Sequence, residues 1–166
     1  MINEAQETSV HAQVIVEAPI EQAFTVFTEG IGTWFPPEYN LLPVPIAERV
    51  FEPRVGGRVY DRGVDGSECQ WGRVLQYERP KRVVISWDIS PRWQIEPDLA
   101  RTSEVEVRFI ADGTNRTRVE LEHRHLERHG EGWQQLHESV SGDGGWPGCL
   151  RRFVDRVNAV RGAEAH

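Results

Sequence analysis

Residues 150–160, LRRFVDRVNAV, form the most regular amphipathic pattern in the chain and decide its fold. The apolar members stand at i, i+3, i+4, i+7 and i+10, which are Leu150, Phe153, Val154, Val157 and Val160. This spacing predicts an α-helix with one apolar face and a largely charged opposite face. Pro147 suits the first turn of that helix, where a backbone N–H has no partner in any case. Such a helix needs an apolar surface to cover its stripe.

The preceding sequence predicts a sheet that offers this surface. Short strand-like runs, separated by turn residues, occupy 10–17, 47–51, 58–62, 68–78, 82–88, 103–110 and 117–125. In the first run, apolar and polar residues alternate from Val10 to Val16, as in a strand buried on one face. Closely spaced runs of this kind are typical of an antiparallel meander. A short helix is predicted between Pro19 and Gly30, and a second helical turn over 31–35.

We therefore predict an α+β fold in which a curved antiparallel sheet wraps around the long C-terminal helix, with two short helices after the first strand. The space between sheet and helix is the expected ligand site, because pockets occur where packed layers part. Residues 89–101 predict an irregular loop over one end of the sheet, and 133–140 a further short helix. A single domain is expected over 9–161, with a frayed or disordered N-terminus over 1–8 and a tail over 162–166.

Charge and composition narrow the functional classes. Nineteen basic residues against twenty-six acidic ones give a net charge of −7, which lacks the positive footprint of a nucleic-acid-binding protein. No run approaches the roughly 18 apolar residues of a membrane span, and the N-terminus has no pattern of a secretory signal. Two cysteines, Cys69 and Cys149, are too few for a disulfide scaffold. A cytoplasmic, reducing location is therefore predicted.

The histidines are the first group of candidate functional residues. His123 and His125 lie two residues apart on the last predicted strand, so we expect them to share a face and to orient a ligand at the pocket mouth. Acid–base catalysis by one of them is an alternative, since histidine titrates near pH 6.5. A zinc site completed by His129 or His137 is another alternative, but no ligand pair of known spacing supports it. We therefore predict no metal and no cofactor.

Aromatic residues are the second group of candidate functional residues. Tryptophans from separate elements are Trp34, Trp71, Trp87, Trp133 and Trp146. Strand alternation groups Trp71 with Leu75 and Tyr77, without deciding which face of the strand is inward. The rings either line a pocket for an apolar or ring-shaped ligand or fill the core. The candidate ligand-binding residues are Phe27, Trp34, Trp71, Trp87, His123, His125, Trp146 and Phe153.

Several segments resemble one protein superfamily. They are EAPIEQAF at 17–24, WF at 34–35, VGGR at 55–58, WGRV at 71–74, RPKR at 79–82, SW at 86–87, HLERHG at 125–130 and GWP at 145–147. Over about residues 9 to 161 the chain resembles the SRPBCC or START-like superfamily, and within it the family related to the activator of the heat-shock-protein-90 ATPase. The resemblance implies the helix-grip fold. It implies less about activity, because the superfamily includes lipid carriers, polyketide aromatase/cyclases and hormone receptors.

The residues and the resemblance together predict a protein that binds a small apolar or aromatic molecule, with binding alone as the first expectation and catalysis left open. A polyketide cyclase/dehydratase-like enzyme and a chaperone-associated or other protein-interaction module are the alternatives. The co-chaperone that names the family carries an additional N-terminal domain, so ATPase activation is not expected from the family name. Nucleic acid and membrane insertion are not expected as partners, whereas a homodimer and a chaperone partner stay open.

Overall fold

The computed structural model describes residues 8–164. Its strands are β1 (Val10–Val16), β2 (Ile46–Phe51), β3 (Arg58–Gly63), β4 (Glu68–Glu78), β5 (Arg82–Trp87), β6 (Ser103–Ala111) and β7 (Thr117–Arg124). Its α-helices are α1 (Ile20–Phe27), α2 (Trp133–Ser141) and α3 (Trp146–Glu164), and short 3-10 turns cover Ile31–Thr33, Pro37–Tyr39, Leu99–Arg101 and Leu126–His129. Most of the predicted frayed N-terminus, 1–7, and the last two residues of the predicted tail lie outside the described residues. α3 itself extends into that tail.

The strands form one antiparallel sheet in the order β1-β7-β6-β5-β4-β3-β2. A meander runs from β2 to β7, and β1 pairs beside β7, which confirms the predicted α+β helix-grip fold. The β1–β7 register places Val10 opposite His123 and Val16 opposite Thr117. Because Val10 and Val16 are both buried, this register sets His123 and Thr117 on the inner face of the sheet.

The predicted helical stripe is the part of α3 that holds the fold together. Leu150, Phe153 and Val157 are fully buried, and Val154 and Val160 pack at the margin of the core. α3 contacts β1, α1 and α2. Burial of each large apolar side chain contributes about 1.5–3 kcal/mol to folding. α3 has 19 residues, yet no helix among the described residues is both long and apolar enough to cross a membrane.

Two register shifts in β4 change the predicted grouping of its side chains. Trp71 has no residue opposite it in β3, and Leu75 has none opposite it in β5. Each extra residue interrupts the alternation of faces. Val74 rather than Leu75 is therefore buried between Trp71 and Tyr77, so the grouping of Leu75 with the two rings is wrong. Trp71 points to the core, which decides the face that alternation left open.

Candidate functional site

A pocket lies where α3 begins and β5 ends. Its walls are formed by Phe35, Tyr39, Trp87, Trp93, Ser139, Val140, Gly145, Trp146 and Cys149. Its cavity volume is about 30 Å³, and part of its boundary is open to solvent. The surface that faces this space is almost entirely apolar, as in sites that bind organic molecules by burial of their rings.

The pocket rings arrive from separate elements and pack against one another. Trp87 is the last residue of β5 and Trp146 the first of α3, and their ring centroids lie 5.8 Å apart, edge to face. Phe35 follows the first 3-10 turn and stacks on Trp71 at 5.3 Å. Trp71 in turn meets the edge of Trp87 at 5.9 Å. These are favoured aromatic geometries, and they give the pocket a rigid inner wall.

The outer part of the pocket is built differently, from Tyr39 at the end of a 3-10 turn and Trp93 in a loop. The rings of Tyr39 and Trp93 lie 6.0 Å apart and only 26° from parallel. Trp93 is 37% exposed and has a φ of 60°, a conformation that is costly for a bulky side chain. Arg73 fixes the base of this loop by donating to both carboxylate oxygens of Asp88, at 3.1 and 3.0 Å, and to Thr102. The loop therefore presents an exposed, strained aromatic tip on a firmly held base.

A chain of buried hydrogen bonds runs behind the inner wall. Nε1–H of Trp146 donates to Nδ1 of His123 over 3.0 Å. Since Nδ1 accepts, the neutral ring carries its proton on Nε2, which lies 2.8 Å from Oγ of Ser103. The Ser103 hydroxyl then donates to Nε2 of His129 over 2.7 Å. In this assignment each group donates to the next, and every polar side-chain atom is satisfied except Nδ1 of His129. We call this series of hydrogen bonds, from Trp146 through His123 and Ser103 to His129, the relay.

Both histidines of this relay are neutral at neutral pH. Burial, reinforced by His129 and His137, lowers the pKa of His123 to about 3. Burial also lowers the pKa of His129 to about 4, although the carboxylates of Glu96 and Asp88 act in the opposite direction. Desolvation of the charged form is the common cause. The relay therefore offers hydrogen bonds without fixed charge.

Two buried N–H groups have no acceptor among the described residues. They are Nδ1 of His129, at the end of the relay, and Nε1 of Trp87, in the pocket wall. A buried donor without an acceptor costs about 1–3 kcal/mol of stability. Because buried polar groups are nearly always satisfied, such atoms mark places where a bound molecule could supply the acceptor.

A buried ion pair supports the wall from the side of β2 and β3. The Arg49 guanidinium donates to both carboxylate oxygens of Asp61, at 2.7 and 3.1 Å, and both residues are buried. Arg49 also donates to the backbone carbonyls of Phe35 and Pro36 at 3.1 and 3.0 Å. Asp61 accepts a further bond from Nε1 of Trp71 at 3.1 Å. One bidentate pair thus fixes the backbone that carries Phe35 and the ring behind it.

The structure divides the predicted ligand-binding residues into separate groups. Trp87 and Trp146 line the pocket, while His123 and Trp71 pack directly behind it. The remaining aromatic candidates form a tight core cluster whose members do not line the pocket. Phe27, Trp34 and Phe153 lie with ring centroids 4.9 to 5.4 Å apart, and Nε1 of Trp34 donates to a backbone carbonyl. Some of the candidate rings therefore line the pocket and others fill the core, and a ligand-binding role for the first group stays a prediction.

His125 does not share a face with His123, contrary to the prediction. β7 ends at Arg124, and His125 has a φ of 64° at the start of the following 3-10 turn. The left-handed conformation turns the chain away from the strand. The zinc alternative also lacks support in the structure, because the described residues contain no group of three His, Cys, Asp or Glu side chains that could hold a metal ion.

Several pocket and relay residues were missed by sequence reasoning. They are Phe35, Tyr39, Trp93, Cys149, Ser103 and the buried pair Arg49–Asp61. Trp93 lies in a loop and Tyr39 in a short 3-10 turn, where no periodicity in the sequence predicts the direction of a side chain. Ser103 pairs directly with Trp87 across β5 and β6, and this register is a signal that becomes usable only once the two strands are aligned.

The family described as "Activator of Hsp90 ATPase homolog 1-like protein" matches residues 17–158. The chain belongs to this family. No curated protein matches it. The match spans β2 to β7, the aromatic pocket and most of α3, so the site described above lies within the family domain.

Two solved structures combine high coverage with substantial identity. The anthrahydroquino-γ-pyrone synthase Txn09 is 41% identical, with 89% of this chain and 95% of that one covered and a TM-score of 0.63. The self-sacrificing resistance protein CalC from Micromonospora echinospora is 30% identical, with 92% and 96% covered and a TM-score of 0.67. The Nitrosomonas europaea protein NE0264, at 17% identity and a TM-score of 0.67, shows the shared fold alone.

Proposed function

We propose that this protein binds an oxygenated, flat polycyclic aromatic molecule in the aromatic pocket and closes a further ring on it. The observation that carries the proposal is the pocket itself, with apolar aromatic walls backed by a buried, uncharged histidine relay. Similarity to a synthase whose name specifies an anthrahydroquinone fused to a γ-pyrone supports this substrate class. This is the cyclase alternative of the sequence analysis. The binding protein that was predicted first would use the same pocket.

The pocket walls favour a flat aromatic ligand. Edge-to-face and stacked rings present both faces and edges to a bound ring, and burial of apolar surface contributes about 25 cal/mol per Å² before the entropic costs of binding. The cavity volume of about 30 Å³ is well below the roughly 300–1,000 Å³ of sites that hold organic ligands. A three-ring ligand therefore requires Tyr39 and Trp93 at the mouth to separate. We expect these two residues to move first, because they lie outside the strands and the α-helices.

Ring closure to a pyrone needs no oxidant and no cofactor. A phenolic oxygen adds to a ketone carbon of a 1,3-diketone side chain in the same molecule, and its proton passes to the ketone oxygen. That oxygen then leaves as water, together with a proton from the carbon between the two carbonyls. Positioning of the side chain, polarisation of the ketone by buried N–H donors and exclusion of bulk water would each lower the barrier.

A second candidate is binding without chemistry, as in a carrier or sequestering protein. It is favoured by the composition of the pocket wall, where no carboxylate, lysine or arginine is among the lining residues that the structure describes. The similarity to a resistance protein is in keeping with it. Nothing in residues 8–164 favours the chaperone partner or the homodimer, which stay predictions.

The test uses a 1-hydroxyanthraquinone that carries a 1,3-diketone on the neighbouring carbon. Purified protein is mixed with this compound, and formation of the pyrone with loss of one water is followed by liquid chromatography and mass spectrometry against the rate in buffer alone. Acceleration of at least about tenfold, equivalent to about 1.4 kcal/mol, supports the cyclase. Saturable quenching of tryptophan fluorescence without acceleration supports the carrier instead. If the protein neither accelerates the reaction nor shows quenching, both candidate functions are rejected.

A pair of adjacent substitutions on α2 controls for the site of action. Ser139 lines the pocket, whereas the neighbouring Glu138 does not, and both are exposed. Ser139→Trp is expected to fill the mouth and abolish both binding and acceleration. Glu138→Trp adds the same ring next to it and is expected to leave both unchanged. Equal loss in the two variants would place the activity outside the pocket.

A further inference from the structure

We infer that the indole N–H of Trp87 binds an acceptor oxygen of the ligand, a carbonyl or phenolate, and so makes the pocket selective for oxygenated over plain polycyclic rings. The inference rests on the proposed pocket and adds the group that recognises the substrate class. It goes beyond apolar burial, because burial alone does not distinguish a quinone from a hydrocarbon of the same shape.

The first support is a contrast among the buried tryptophans. Trp34, Trp71 and Trp146 each donate their indole N–H to a protein acceptor at 3.0 to 3.1 Å. Trp87 is equally buried, at 2% exposure, and its Nε1 has no acceptor in the described part of the chain. It is also the last residue of β5, so its backbone is held in the sheet and its ring position is set. The missing bond is therefore specific to this ring.

The second support is that the aromatic rings around Trp87 offer no free acceptor. Four rings surround it at centroid distances of 5.2 to 6.5 Å, namely His123, Trp146, Trp71 and Trp93. Indoles donate only. Both ring nitrogens of His123 are already committed, to Trp146 and to Ser103. A molecule bound in the space that the Trp87 ring lines would supply this acceptor once the mouth opens and uncovers Nε1.

The expected effect is selectivity of about tenfold, since a hydrogen bond that satisfies a buried donor is worth about one such factor in affinity. The probes are anthraquinone-2-sulfonate and anthracene-2-sulfonate, which share their three fused rings and their charge and differ in the two carbonyl oxygens. Wild-type protein is expected to bind the quinone about tenfold more tightly. Trp87→Phe keeps an aromatic ring but removes the N–H, and is expected to bind both probes equally. Trp133→Phe, outside the pocket, is expected to keep the preference.

A second measurement uses the wild-type protein, so the result does not depend on the stability of the variant. Indole N–H resonances are assigned by NMR and followed during titration with each probe. The Trp87 resonance is expected to move downfield with the quinone and not with the hydrocarbon. If both probes bind and the preference survives in Trp87→Phe, or the Trp87 resonance responds equally to both, this inference is overturned and the pocket stands. If neither probe binds, the proposed pocket and this inference are both overturned.

Discussion

Nε1 of Trp146 lies 3.0 Å from Nδ1 of His123, and this hydrogen bond joins the first residue of α3 to the inner face of β7. It fixes the position of the helix end that forms one side of the pocket. It also sets the tautomer of His123, and with it the direction of every later bond in the relay to His129. One contact therefore couples the pocket wall to the polar interior behind it.

The two pocket tryptophans should respond differently to loss of their N–H groups. Trp146→Phe leaves Nδ1 of His123 buried without a donor, whereas Trp87→Phe removes a donor that has no acceptor. We expect Trp146→Phe to be about 1–3 kcal/mol more destabilising than Trp87→Phe, because both lose a similar ring area and only one creates an unsatisfied atom. Urea unfolding monitored by far-ultraviolet circular dichroism measures the difference. Equal free energies of unfolding would contradict the assigned hydrogen bond.

Acid should destabilise the protein well above the range in which carboxylates titrate. The pKa values of His123 and His129 are lowered by burial to about 3 and about 4, whereas an unfolded histidine has a pKa near 6.5. The unfolded chain thus binds more protons as the pH falls below 6.5, so stability decreases from there towards pH 4. At pH 5 each histidine costs about 2 kcal/mol relative to pH 8. Urea unfolding at a series of pH values tests this.

The control for the acid prediction is His129→Gln, which keeps an acceptor for Ser103 but does not titrate. Its stability should fall by about half as much between pH 8 and pH 5 as that of the wild type. Burial would raise the pKa of Glu106, but ion pairs with Arg82, Arg124 and Arg108 hold it at about 2. Glu106 therefore adds acid sensitivity only below about pH 4.5. An unchanged pH slope in the variant would show that His129 is not the group responsible.

Substitution of one member of the buried Arg49–Asp61 ion pair should strongly lower the free energy of unfolding. Asp61→Leu leaves the Arg49 charge without its carboxylate and the indole N–H of Trp71 without its acceptor. We expect a loss of about 3–5 kcal/mol in the free energy of unfolding. The double variant Arg49→Met/Asp61→Leu should recover part of this loss, because the uncompensated charge is gone. A double-mutant cycle by urea unfolding measures the recovery, and strict additivity of the two changes would argue against coupling between them.

The periodicity of the sequence predicted the fold well, because a helix or strand that is buried on one side places apolar residues at a fixed spacing. The stripe from Leu150 to Val160 is sufficient to predict α3 and the need for an opposing sheet, and the strand runs match the observed strands to within one or two residues at their ends. The two shifts in β4 escaped prediction because they depend on how β4 pairs with both neighbours. No local pattern at Trp71 or Leu75 indicates that either will be left without a partner.

The site was less predictable than the fold, for a related reason. Sequence reasoning found Trp87, Trp146 and His123 as residue types suited to a pocket, but not which rings face it. Ser103 and His129 enter the relay through strand register and a turn that brings them to His123. The position of Trp93 depends on a single left-handed residue in an irregular loop. Sites assembled from loop tips and cross-strand partners need tertiary geometry before they can be recognised.

The rate at which Cys149 is modified by a thiol reagent should show whether Tyr39 and Trp93 restrict access to the pocket. Cys149 lines the pocket, and burial raises the pKa of its thiol to about 12, whereas Cys69 is only partly buried. We expect N-ethylmaleimide at pH 7 to label Cys69 first and to leave Cys149 largely unmodified. Trp93→Gly suits the positive φ at this position and removes the outer ring, so it should increase the labelling rate of Cys149 several-fold and leave that of Cys69 unchanged. Peptide mass spectrometry over a time course measures both rates. Equal labelling of Cys149 in the two proteins would mean that Trp93 does not limit access to the pocket.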